Sequence, residues 1–128
     1  VVTLDEMLQI ISTQHDFTPI RRLKHATTKG YQITGFVGTF AVISTMSANF
    51  CGDCNRLRLT ADGKLKNCLF SKEETDLLTA LRRGEDVLPL ILQSVQSKAK
   101  QLGGQMVTDF THVDADTIKN RSMITIGG

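Results

Sequence analysis

The chain lacks any apolar run near the roughly 20 residues that span a bilayer, so no membrane segment is expected. Its start shows neither a basic stretch nor a following apolar core, which argues against a secretory leader. The net charge is only +2, too weak a field to draw nucleic acid, so any anion site must be local. No initiator Met precedes Val1-Val2, and a fragment or a processed product is expected. Internal repeats and low-complexity tracts are absent. Cysteine is scarce and odd in number at three residues, whereas a secreted disulfide scaffold carries many cysteines in even number. An intracellular, reducing compartment fits better, with the thiols kept for metal or redox chemistry.

What is present is the material of one ordinary domain. The 128 residues are 41% hydrophobic and 22% charged, a normal globular balance. Thr3 and Glu6 stand at capping-box spacing, and Leu4, Met7, Leu8 and Ile11 recur at helical period, which predicts a helix from residue 4 to about 14. Residues 17–23, 30–36 and 39–45 are rich in Ile, Phe, Val, Thr and Tyr and read as short antiparallel strands. Residues 56–60 and 64–68 read as a hairpin turning through Ala61-Asp62-Gly63. Two helices are expected next, over 73–82 and from about Glu85 to Leu102, with Gly84 ending the first, Pro89 in the first turn of the second and Gly103-Gly104 stopping it. Their leucines, Leu77 through Leu92, are expected to be core. Residues 103–128 read as an extended or partly ordered tail ending in Gly127-Gly128. The order of helix, strands and helices gives an α+β fold with a cysteine-bearing hairpin.

Cys51-Gly52-Asp53-Cys54 is a C-x₂-C turn, in which two thiolates reach one metal or two irons of one cluster and Gly52 is expected to ease the tight turn. Thirteen residues then separate Cys54 from Cys68. With a three-residue hairpin loop, Thr60 pairs with Lys64 and paired numbers sum to 124. Cys68 then falls opposite Arg56, next to Cys54, and alternation puts Arg56, Arg58, Lys66 and Cys68 on one face with Leu57, Leu59 and Leu65 on the other. Three thiolates without an obvious fourth ligand suit a [4Fe–4S] cluster with one open iron, a Lewis acid for a substrate nitrogen or oxygen. Zinc held by the three cysteines and one of His15, His25 or His112 is an alternative, though no histidine stands at ligand spacing. Three inert, buried thiols are a third. Arg56 and Arg58 are suited to grip phosphate or carboxylate bidentately, against the alternative of a solvated strand face.

The run from Phe50 through Cys51-Gly52-Asp53-Cys54-Asn55-Arg56-Leu57-Arg58-Leu59-Thr60 to Asn67-Cys68-Leu69-Phe70 closely resembles the C-terminal region of the molybdenum cofactor biosynthesis protein A family, radical S-adenosylmethionine enzymes with GTP 3′,8-cyclase activity. Gly35-Phe36-Val37-Gly38-Thr39-Phe40 and the terminal diglycine fit the same family; residues 1–102 match continuously and 103–120 poorly. The resemblance implies that Cys51, Cys54 and Cys68 ligate a second, substrate-binding [4Fe–4S] cluster. It implies that GTP contacts Arg56, Leu57 and Arg58, and that Gly127 and Gly128 reach the active site. The family's C-x₃-C-x₂-C motif, which holds the first [4Fe–4S] cluster and serves S-adenosylmethionine, is missing here. The chain is therefore expected to be the substrate-side half of the enzyme, part of an incomplete α/β barrel, inactive alone and partnered by the N-terminal radical barrel. The full enzyme admits a homodimer, in mitochondria for a eukaryote or the cytoplasm for a bacterium. The alternative is a standalone zinc or iron–sulfur binding module without catalysis. Neither nucleic acid nor membrane is an expected partner.

Overall fold

The computed structural model describes residues 2–106 and 114–126. It is an α+β chain with two small antiparallel sheets and three α-helices among the described residues, grouped in two compact units that divide between Cys54 and Asn55. No described helix is long and apolar enough to cross a membrane.

The first unit opens with α1, Leu4–Ser12, and its start is the expected capping box. Thr3 Oγ1 accepts the Glu6 N–H at 3.3 Å, while Glu6 Oε2 accepts the Thr3 N–H at 2.7 Å. Three strands follow, β1 (Phe17–Pro19), β2 (Lys29–Ile33) and β3 (Thr39–Val42), ordered as an antiparallel meander. The register sets Phe17 opposite Ile33 and Tyr31 opposite Phe40. The aromatic rings of Phe17, Tyr31 and Phe40 therefore meet on one face, with centroids 5.1–5.4 Å apart, and Tyr31 is buried. Two edge-on pairs and one stacked pair give this small sheet its apolar centre. The strands are shorter than the sequence suggests because loops take over at Ile20 and Ile43.

The second unit carries β4 (Arg58–Leu59), β5 (Lys64–Lys66) and β6 (Thr75–Asp76), with β5 central, then α2 (Leu77–Arg82) and α3 (Leu88–Gln96). The hairpin register is the expected one. Arg58 faces Lys66 and Leu59 faces Leu65, and the Thr60 N–H donates to the Lys64 carbonyl at 2.9 Å. Gly63 takes φ +74°, the left-handed conformation a three-residue loop of this kind requires at its last position. Gly84 closes α2 as expected: at φ +74° it donates to Leu81 O, and Glu85 N–H reaches Ala80 O, a Schellman pair.

Three expectations are corrected. Thr75 and Asp76 are strand rather than helix, because they pair with Leu65 and Lys64, and α2 starts only at Leu77 with Asp76 as its N-cap. The helix α3 begins at Leu88 and ends at Gln96, well short of Leu102, with Pro89 in its first turn as read from the sequence. The leucine stripe is not core: Leu81, Leu88 and Leu92 are more than half exposed, and the buried positions of the two helices are the small Ala80 and Ser94. The described part of the tail is partly ordered rather than extended throughout, since Ile126 is fully buried and short 3₁₀ turns form at Ala115–Thr117 and Met123–Thr125.

Candidate thiol and arginine site

Cys51, Gly52 and Asp53 form a single 3₁₀ turn, and Cys54 leaves it in extended conformation with its N–H donating to Cys51 O at 3.2 Å. The closure brings the two thiol-bearing residues of the first unit onto one turn. Asn49 Oδ1 accepts the Cys51 N–H at 3.4 Å and holds the entry. Gly52 is not needed for backbone reasons: its φ is not positive and a Cβ there would meet nothing within 4 Å.

The turn is braced from the loop between β1 and β2. Arg22 donates to Asp53 Oδ1 at 3.1 Å and to the Ala26 carbonyl. The His25 N–H donates to Asp53 Oδ2 at 3.4 Å, and its Nδ1 is hydrogen bonded to the Asp53 carbonyl. The Arg22 guanidinium, with the His25 amide behind it, holds the Asp53 carboxyl below the usual carboxylate range. His25 adopts φ +65°, uncommon for a residue with a side chain. Motif spacing gave no sign of Arg22, and His25 was legible only as a lone histidine, because both act across about thirty residues of chain. Of the other two histidines, His15 packs edge-on against Phe36 and His112 lies outside the described residues.

In the second unit Arg56 is exposed and Arg58 is half-buried on β4. Leu57 and Leu59, expected to pack inward, are 44% and 64% exposed, and only Leu65 of that face is buried. The most deeply buried side chain of the hairpin is instead Lys66, 1% exposed, on the same face as Arg58. Its ammonium donates to the Ser71 carbonyl and stands 3.9 Å from Glu74. Burial pushes the Lys66 pKa down, while Glu74 pulls it back up. Cys68 lies just beyond β5 and opens a turn in which the Ser71 N–H and hydroxyl both donate to its carbonyl, at 3.2 and 2.9 Å.

None of the three cysteines is joined in a disulfide, and all are half-buried. Cys51 and Cys54 belong to the first unit and Cys68 to the second. Among the described residues no three His, Cys, Asp or Glu groups already stand together as a metal site. The donor set is chemically that of a thiophilic metal or cluster: three half-buried cysteines, two of them on one turn, with no disulfide consuming them. Gly127 and Gly128 lie outside the described residues.

Comparison with known proteins adds the family. Residues 1–103 match the Molybdenum Cofactor Synthesis C family. A GTP 3′,8-cyclase of Alkaliphilus oremlandii is 38% identical over 121 residues, covering 94% of this chain and 36% of that protein. A GTP 3′,8-cyclase of Rhodopirellula baltica is 39% identical over 137 residues, covering 100% of this chain and 36% of its own length. Molybdenum cofactor biosynthesis protein 1 of Homo sapiens is 37% identical over 130 residues, covering 98% of this chain and 19% of itself. The chain thus spans about a third or less of the relatives it matches. With four-fifths of its residues inside one family match, this chain belongs to the Molybdenum Cofactor Synthesis C family, the C-terminal region of molybdenum cofactor biosynthesis protein A.

Proposed function

We propose that the chain is the substrate-side half of a GTP 3′,8-cyclase in molybdenum cofactor biosynthesis, the C-terminal part of an incomplete α/β barrel. Cys51, Cys54 and Cys68 would hold a [4Fe–4S] cluster, which supplies an open iron for the substrate. Arg56, Leu57 and Arg58 would receive GTP, the two guanidiniums matching phosphate oxygens in charge and geometry. Residues 1–102 would form the cluster and nucleotide domain, and residues 103–128 a tail whose Gly127 and Gly128 reach the reaction site. Radical generation from S-adenosylmethionine, at a first cluster, would belong to the N-terminal barrel.

The hairpin register carries this reading. The observed pairs, Arg58 with Lys66 and Leu59 with Leu65, sum to 124 as expected; the ladder ends at Arg58 and Lys66, two residues short of Arg56 and Cys68. The open end of the hairpin thus leads toward Arg56 on one strand and Cys68 on the other, and Arg56 follows Cys54 by two residues in sequence. The family match over residues 1–103 supports the same assignment.

A standalone zinc module is the second reading, favoured by one observation: His25 lies against the thiol turn. Its Nδ1 is engaged by the Asp53 carbonyl, however, so the residue already has a bracing role. Anaerobic reconstitution of the full-length enzyme separates the two. The proposal expects iron and sulfide, with a marked loss of both in Cys68→Ser, because two thiolates do not hold a cubane firmly. One bound zinc in place of iron, or wild-type iron content in Cys68→Ser, would overturn it.

A further inference from the structure

The segment beyond the family match has no motif, yet its described residues make several long-range hydrogen bonds within the second unit. Four consecutive carbonyls run from Cys68 to Ser71, and each accepts a hydrogen bond. Cys68 O takes the Ser71 N–H and hydroxyl; Leu69 O takes Asn120 Nδ2 at 3.0 Å; Phe70 O takes Gln105 Nε2 at 2.6 Å; Ser71 O takes the Lys66 ammonium. Two of the four donors thus lie past residue 103, where the family match stops. Gln105 also ties the segment to itself, accepting the Lys119 N–H at 3.0 Å and donating to Lys119 O at 2.8 Å.

Two further features lock this arrangement. Gly103 sits at φ +67° with its α-carbon pressed against the Phe70–Ser71 peptide, so that a Cβ would fall 2.3 Å from the Phe70 carbonyl carbon and oxygen. Only glycine admits that approach. Arg121, next to Asn120, pairs bidentately with Asp62 at 2.9 and 3.0 Å and also binds Glu74, the carboxylate beside Lys66. The tail is therefore fastened to the hairpin loop at one point and to the Cys68 turn at two.

We propose that Gln105 and Asn120 are positioning residues for Cys68. They clamp the peptide groups that follow it, so the thiol is presented to its ligand only while the C-terminal segment is docked. The backbone of a ligand loop determines the direction of its Sγ, and an amide donor on each of the next two carbonyls removes the freedom to rotate those peptides. Docking of the tail and geometry of the ligand thereby become one event, in a stretch where family similarity alone assigns no role. This inference rests on the reading of Cys68 as a cluster ligand.

The test uses the full-length enzyme and the variants Asn120→Asp and Gln105→Glu, which keep size but remove the donors. In the apo protein, alkylation of the three cysteines is followed by peptide mass spectrometry. The clamp expects the rate at Cys68 to change severalfold relative to Cys51 and Cys54, with both variants still melting cooperatively. After anaerobic reconstitution it expects faster loss of iron to a chelator and an altered paramagnetic signature of the reduced cluster. Asn120→Gln, which retains the donor, should restore at least part of the wild-type pattern. Unchanged Cys68 alkylation in both donor-lost variants would overturn the clamp, as would a uniform change at all three thiols, which signals general loosening. Failure of the underlying reading looks different: Cys68→Ser would keep wild-type iron, whatever the alkylation rates show.

Discussion

At the scale of single residues, Arg56 and Lys66 are two cations of the same unit with opposite exposure. Lys66 is buried, and its ammonium satisfies the Ser71 carbonyl beside Glu74. Replacing it by Met keeps the apolar stem but leaves a buried acceptor without a donor, a loss of about 1–3 kcal/mol. Arg56 is exposed at the edge of the proposed nucleotide site. Arg56→Ala in the full-length enzyme should weaken GTP by about 1.5–3 kcal/mol, as expected for a lost charge-assisted contact, with little change in unfolding. Urea titration and GTP binding, run side by side, should thus separate the two variants in opposite directions. Equal GTP affinity in wild type and Arg56→Ala would reduce the arginine to a solvated strand residue.

At the scale of elements, the hairpin loop doubles as the cap of α2. The Gly63 carbonyl accepts the N–H groups of Leu77 and Leu78 at 3.1 and 3.0 Å, and Asp76 accepts from Thr79 at 2.9 Å. Most of the donors that a helix start leaves open are thus satisfied by one loop and one side chain. Gly63 is fixed twice over, by φ +74° and by Leu78, whose Cβ would lie 2.3 Å from an added methyl. Gly63→Ala should therefore destabilise the chain by at least the roughly 1–3 kcal/mol of a strained left-handed residue, with the clash in addition. Gly38→Ala, at a site with ordinary φ and nothing within 4 Å, is the matched control and should be near neutral. Equal urea midpoints for the two variants would mean the loop does not sit on α2.

At the scale of the whole molecule, the tail depends on charge. Arg121, with Thr60 behind it, holds the Asp62 carboxyl far below its ordinary value of 3.8. For an acid whose folded pKa is depressed, the stabilisation is fully present above the unfolded pKa. It is lost only as pH falls through the folded value. Docking should therefore persist through the mildly acidic range and fail only well below pH 3.8. Amide protection factors across residues 119–122, followed against pH, read this directly. Asp62→Asn should lower them already at neutral pH. Loss of protection in step with an ordinary carboxylate, or no effect of Asp62→Asn, would show that the ion pair is not the anchor.

The sequence by itself determined the features governed by local chemistry. The Thr3–Glu6 box set the start of α1, Gly84 set the end of α2, and a three-residue loop with glycine last set the hairpin register. Each involves groups a few residues apart, where spacing and backbone conformation leave one favourable arrangement. The Cys51–Cys54 turn was legible for the same reason. Only the tertiary structure decided which apolar residues are buried, because that depends on what faces them: Leu59 is left outside while Lys66 is taken in beside Glu74. It also decided that Thr75 and Asp76 join a sheet, since strand identity there comes from pairing with β5 and not from propensity. The braces on the cysteines follow the same logic. Arg22 meets Asp53 across 31 positions, Asn120 meets Leu69 across 51 and Arg121 meets Asp62 across 59. Closing loops of that length is a property of the folded chain, and no spacing rule foreshadows which donor will find which carbonyl.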